Sequence, residues 1–436
     1  MDKSPLPLNI TRSSFYNSIK KFIRDFRSGR SRPSINLRRN TFGRDFFKGK
    51  TVLIILSVLL IFIVGFHIHR YLQIEVAPYV DVEGIEHSPQ IISDARDINV
   101  VFIGFDDTKN NYRFINMLAI VNLDYQTGEL KLYSYNPNYL VNLGSAKFPL
   151  RSVFNLLTSK DEEKMIDLLA IIEKISAIRI DRYVAFNYSD LNTLIEKTGV
   201  TVIADKNYSI EGNSYAQDEA IGGSRLYDFI AKEAILTDDS LKRQNMFLKE
   251  LLESLRDTYK LYRYFLDGKE FSDILRTDFT KDQFIRFVAN LASSNAFIKT
   301  GFASQQLTLE DLTKSNLEEG IPASDILLDE DISKVFSSIA IIKEQAQIEI
   351  FNATNVSGVA YNLKRKFENI GITVIKTGNY TEKVEENRLY IPSKTPDNFI
   401  NTIKAVRAIL RDDVRIIFGD YKYNYSGDMI LVIGKG

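Results

Sequence analysis

From residue 98 onward the chain alternates strand-like and helix-like patterns. Ile98–Phe105, INVVFIGF, and Met117–Leu123, MLAIVNL, are nearly unbroken apolar runs of strand length, as expected of strands buried on both faces. Asp124–Gly128 is a turn, and Glu129–Tyr135, ELKLYSY, pairs back as a hairpin. Asp161–Ile175 carries Met165, Leu168, Leu169, Ile172 and Ile175 at helical spacing, which predicts an amphipathic helix. Arg182–Asn187 reads as a strand and Tyr188–Lys197 as a helix; Gly199 closes that helix before strand Val200–Ala204. Ser240–Tyr264 and Asp282–Ser293 are two further helices. The alternation predicts an α/β/α layered domain with a mixed sheet over residues 98–300.

Residues 301–345 are polar and acidic and read as a partly ordered linker. A second β/α pattern follows over 346–436: strand Gln347–Phe351, helix Val359–Ile370, strands Ile372–Lys376 and Arg388–Ile391, helix Pro396–Leu410 and strand Met429–Ile433. It predicts a small C-terminal α/β domain.

The chain before residue 98 follows neither pattern. Thr51–Ile68 has no Asp, Glu, Lys or Arg. Eighteen residues at ~1.5 Å each reach about 27 Å, enough for a hydrocarbon core, so 51–69 is read as a single transmembrane helix. No small-residue cleavage site follows it, which argues against a removed signal peptide. Residues 1–50 hold 13 Lys and Arg against 3 Asp. That bias predicts a basic cytoplasmic tail at the inner leaflet, an extracytoplasmic stalk at 70–97, and both folded domains outside the cell membrane. A basic tail beside a span favours anionic lipid over nucleic acid as its partner.

Composition removes several chemistries. The chain has no Cys, so disulfides, thiolate metal sites and cysteine nucleophiles are excluded. Its 3 His are His67, His69 and His87, all before the folded region, so neither domain holds a histidine-based triad.

Specific stretches carry a family likeness. Ile180–Val202, IDRYVAFNYSDLNTLIEKTGVTV, Lys242–Leu252, KRQNMFLKELL, and Arg276–Thr280, RTDFT, resemble the LytR-CpsA-Psr (LCP) family of cell-envelope proteins. Ile348–Ile375, IEIFNATNVSGVAYNLKRKFENIGITVI, resembles the LytR C-terminal domain. The resemblance implies a membrane-anchored protein that handles a glycopolymer carried on polyprenyl pyrophosphate and destined for peptidoglycan. It also implies arginines for the pyrophosphate and carboxylates for magnesium, if the chain is active.

Carried over residue by residue, the family aspartate of the first strand falls on Asp106, the metal position. The family's "RSDT" falls on Arg113–Phe114–Ile115–Asn116, where the arginine stays and the second carboxylate becomes Ile115. Its "PRD" falls on Asn136–Pro137–Asn138, with neither arginine nor aspartate retained. An arginine pair before the long helix falls on Ala231 and Glu233, while the next family arginine stays as Arg243, followed by Gln244. Arg113, Arg243 and Gln244 are therefore the expected pyrophosphate-binding residues, and Arg113 and Arg243 the catalytic candidates. Arg151, Arg179, Arg182 and Arg225 are available to rebuild a site. Each charge-assisted bond to phosphate contributes about 1.5–3 kcal/mol, so the missing arginines predict binding with weak or no catalysis. The alternatives are an active phosphotransferase with a remodelled site, and a structural envelope anchor with no lipid pocket whose C-terminal domain, 346–436, binds an envelope protein.

Overall fold

In the computed structural model of the chain, the described residues are 57, 59–66, 68–69, 97–107, 112–143, 146–158, 161–231, 237–257, 274–294, 298–302, 323–392, 396–411, 413–419, 421 and 424–434. The expected tail at 1–50 lies outside them, as does the stalk up to residue 96. The expected span at 51–69 is described only in part: residues 59–66 are helical, and Leu59 through Val64 expose their side chains. No helix among the described residues is long and apolar enough to cross a membrane.

The larger α/β domain is built on a six-stranded mixed sheet. Its centre is β1 (Asp97–Asp107), antiparallel to β2 (Arg113–Asp124), which is antiparallel to β3 (Leu130–Ser134). Strand Arg182–Asn187 lies parallel to β1 on its other side, with the short strand Arg276–Thr277 at that edge. Strand Ile298–Phe302 closes the opposite edge, parallel to β3. Alternation along β1 feeds two cores. Ile98, Val100 and Phe102 pack with helices Leu191–Thr198, Gly223–Ala231, Asp238–Ser254 and Lys281–Ser293. Val101, Ile103 and Phe105 pack with helices Asp161–Ser176 and Ala323–Phe336. The sheet is thus buried on both faces, which is why its strands read as unbroken apolar runs.

The segment 301–345 differs from its expectation where it is described. Ala323–Phe336 and Ile339–Glu344 are helices. Leu328, Ile332, Val335 and Phe336 form an apolar stripe at helical spacing and complete the second core. The acidic Asp329, Glu330 and Asp331 between them make the same stretch look like a linker.

The C-terminal domain has a five-stranded sheet in the order Thr373–Asn379, Gln347–Asn352, Met429–Ile433, Arg388–Ile391, Arg415–Phe418. Helices Val359–Asn369 and Ile400–Ile409 cover one face with Leu363, Phe367, Val406 and Ile409. The Glu344 carboxylate accepts from the backbone N–H groups of Asn401 and Thr402, at 2.8 Å each, and so caps the start of the second helix.

Buried polar bonds join the two domains. Arg365 grips Asp329 through Nε and Nη2, at 2.6 and 2.9 Å. The same guanidinium donates to the carbonyls of Lys174 and Ile175, and Asn369 donates to that of Ser176. Those three carbonyls end helix Asp161–Ser176, where no intrahelical donor exists. The C-terminal domain thus caps a helix of the larger one. Glu173, on that helix, pairs with Lys366 and Arg411. Burial works against the Glu173 carboxylate, yet Lys366 and Arg411 hold its pKa below the usual range. Within the larger domain, Lys131 on β3 is buried and donates to the carbonyls of Phe336 and Ser337 at the end of helix Ala323–Phe336, at 3.1 and 3.3 Å.

Candidate functional site

β1, β3 and Arg182–Asn187 all end at the same edge of the sheet, where α/β folds commonly place ligands. At that edge β2 carries a bulge. Gly104 pairs with Met117 but Phe105 pairs with Ile115, so Asn116 is the extra residue. The bulge reverses the facing of what precedes it: Met117 joins one core and Ile115 the other. Gly104 is required beside it, since a Cβ there would sit 2.7 Å from the Tyr188 ring.

Asn116 organises the edge. Its Nδ2 donates to Asp106 Oδ2 at 3.2 Å, and its Oδ1 accepts from Arg151 Nη2 at 3.4 Å. Its carbonyl, freed from the ladder, accepts from Gln244 Nε2 at 3.1 Å and from the Tyr188 hydroxyl at 3.4 Å. Gln244 also donates to that hydroxyl at 2.8 Å, and burial raises the Tyr188 pKa. Arg151 lies 5.5 Å from the centre of the Phe114 ring, in the range of a cation–π contact. Arg113 opens β2; its backbone is held by Asn155 in a reciprocal pair at 2.9 and 2.8 Å, and its guanidinium lies 6.0 Å from the Phe154 ring centre.

The structure thus brings Asp106, Arg113 and Gln244 to one edge and adds Arg151 and Asn116. Arg243 differs from its expectation. It is 2% exposed, donates from Nε to the Phe229 carbonyl at 2.6 Å, and lies over the Tyr208 and Phe229 rings. It sits one residue along the helix from Gln244, so the roughly 100° turn per residue points it away from Asn116, toward the Tyr208 and Phe229 rings of the same core. Arg179 and Arg182 lie at the far end of the sheet. Burial opposes the charge of Arg179, but Asp181 and Asp97 hold its pKa high. Burial lowers the pKa of Arg182, which also contacts Gln283. Arg225 is on the surface and paired with Glu219. Ala231 carries no charge, and Glu233 lies outside the described residues.

The described side chains do not fit the expected magnesium site. A hard dication takes several oxygen ligands. Asp106 offers one carboxylate, Ile115 is 0% exposed in the apolar core, and Asn116 turns N–H groups toward Asp106. No cluster of three metal-ligating acids or imidazoles occurs among the described residues.

A recess opens at the other end of the sheet, lined by Asp97, Asn99, Lys131, Arg179, Ser338 and Lys404 among others. Its charges largely satisfy one another: Arg179 pairs with Asp97, and Asn122 bridges Asp97 and Asn99.

Comparison with known proteins identifies the C-terminal domain. Residues 345–436 match the family described as LytR cell envelope-related transcriptional attenuator, LytR_C. The chain therefore carries a LytR C-terminal domain. No curated protein is similar to the chain. Among solved structures, TagV of B. subtilis aligns with TM-score 0.40 and 15% identity over 48% of this chain and 84% of its own. A transcriptional regulator from Enterococcus faecalis gives 0.38 and 16% over 48% and 76%. TagT bound to LI-WTA gives 0.41 and 10% over 59% and 99%.

Proposed function

We propose that this chain is an LCP-type cell-envelope protein that binds a polyprenyl-(pyro)phosphate-linked glycopolymer, with weak or no transfer activity. The observation that carries the reading is the composition of the strand-end site. The aspartate and first arginine of the LCP pattern lie there, as Asp106 and Arg113, but among the described residues the cationic and acidic complement of a transferase does not. Arg113 and Arg151 are the guanidinium groups the described residues bring to this edge. The LytR C-terminal domain supports an envelope role. Anchoring by 51–69, with 1–50 in the cytoplasm and both domains outside, belongs to the same proposal and rests on the uncharged stretch and the basic tail.

Phosphoryl transfer needs charge placed where charge develops in the transition state. Two arginines can hold an anionic headgroup. Stabilising both the attacking and leaving oxygens takes more positive charge than the described residues bring to this edge. The test is an equilibrium titration of the full chain, in detergent micelles, with a polyprenyl-pyrophosphate-linked glycopolymer. Saturable binding that weakens with Arg113→Ala is the expected result. An Arg113→Ala variant that binds as tightly as the parent removes that arginine from the site.

A further inference from the structure

We propose, within the headgroup-binding reading just given, that Arg151 grips the phosphate directly and that this grip needs no divalent cation. The chemistry of three side chains leads there. Asn116 stands at the bulge, out of the ladder, between a carboxylate and a guanidinium. Its Nδ2 faces Asp106 and its Oδ1 faces Arg151. That orientation fits both neighbours, because a carboxylate only accepts and a guanidinium only donates. An amide in this orientation presents N–H groups where a cation bridging positions 106 and 116 would need oxygen lone pairs. The charge at this edge comes from arginine.

Arg151 is suited to that task. It is half-buried, lies on the Phe114 ring, and has no carboxylate partner among the described residues. A guanidinium carries five N–H donors in a planar fork, and the Asn116 oxygen occupies one direction of that fork. The turn Leu150–Ser152 that carries Arg151 runs straight into the short helix Val153–Leu156, whose Asn155 fixes the backbone of Arg113. One short segment therefore sets the positions of both arginines. The aromatic rings of Phe114 and Phe154 stiffen the two side chains, so less conformational entropy is lost when an anion binds. The ligand class is a phosphate or pyrophosphate group, borne either by a lipid or by a free anion.

The test uses the full chain in micelles, titrated with farnesyl pyrophosphate and, separately, with inorganic pyrophosphate, each in EDTA and in excess magnesium. The expected result is binding of equal strength with and without magnesium. Arg151→Gln should weaken it roughly tenfold to a hundredfold, the scale of one charge-assisted bond. Arg151→Lys should recover part of the loss, and the surface variant Arg225→Gln should bind as the parent does. Tighter binding of the farnesyl form assigns the site to a lipid headgroup; equal binding assigns it to the anion alone, and either result keeps Arg151 in its role. Binding that appears only with magnesium overturns this proposal and leaves the function reading standing. So does unchanged affinity in Arg151→Gln. Absence of binding of both probes under both conditions overturns the proposal and the function reading together.

Discussion

Arg365→Ala should destabilise the folded region by about 3–5 kcal/mol, the scale for removing one partner of a buried ion pair. The substitution strands Asp329 and uncaps the carbonyls of Lys174 and Ile175 at once. Those carbonyls belong to the larger domain, so the damage should not stay in the C-terminal one. Urea denaturation followed by far-ultraviolet circular dichroism measures the cost. Hydrogen exchange should show the last turn of helix Asp161–Ser176 opening first. A loss below about 1 kcal/mol, the range of exposed pairs, would mean that the junction is a surface contact. A double-mutant cycle with Asp329→Ala isolates the pair itself.

Arg243→Ala should cost about 3 kcal/mol of stability and leave headgroup binding by the folded fraction unchanged. The loss combines an unpaired buried carbonyl at Phe229 with the cation–π contacts to Tyr208 and Phe229. Arg243→Lys should not rescue it, because an ammonium does not reproduce a planar group between rings. Thermal denaturation and pyrophosphate titration, run on the same preparation, separate the two roles. A variant with parental stability and lost binding would return Arg243 to the headgroup site.

The sequence made the central sheet legible because its strands are buried on both faces. INVVFIGF and MLAIVNL leave little choice of conformation. The C-terminal domain was legible for a similar reason, with strand QIEIF, helix Val359–Ile370 and strand Met429–Ile433 in their expected order. Short edge elements were not. Ile298–Phe302 needs β3 beside it to be a strand, and no local pattern announces that pairing. Helix Ala323–Phe336 did leave a signal, the stripe of Leu328, Ile332, Val335 and Phe336, masked by Asp329, Glu330 and Asp331. One of those acids, Asp329, is the interdomain partner of Arg365 and not a solvated linker charge.

At the site, motif spacing located Asp106 and Arg113 but not their neighbours. A bulge cannot be read from residue order: motif spacing points to Ile115 as the residue beside the carboxylate, and the structure puts Asn116 there. Arg243 shows the complementary limit. Helix direction, not adjacency to Gln244, decides which way a side chain points. Arg151 was one of four spare arginines in the sequence. Tertiary contact separates it from Arg179, Arg182 and Arg225, which lie away from this edge.

Whether the chain binds its lipid without transforming it is best decided by release of polyprenyl phosphate. The full chain in micelles is incubated with a polyprenyl-pyrophosphate-linked glycopolymer, magnesium and a peptidoglycan acceptor, and bound lipid and freed polyprenyl phosphate are measured together. Stoichiometric bound lipid with no multiple-turnover release is the expected outcome. Repeated turnover that disappears with Arg113→Ala or Arg151→Gln would contradict it and show that two arginines and one carboxylate suffice for the transfer.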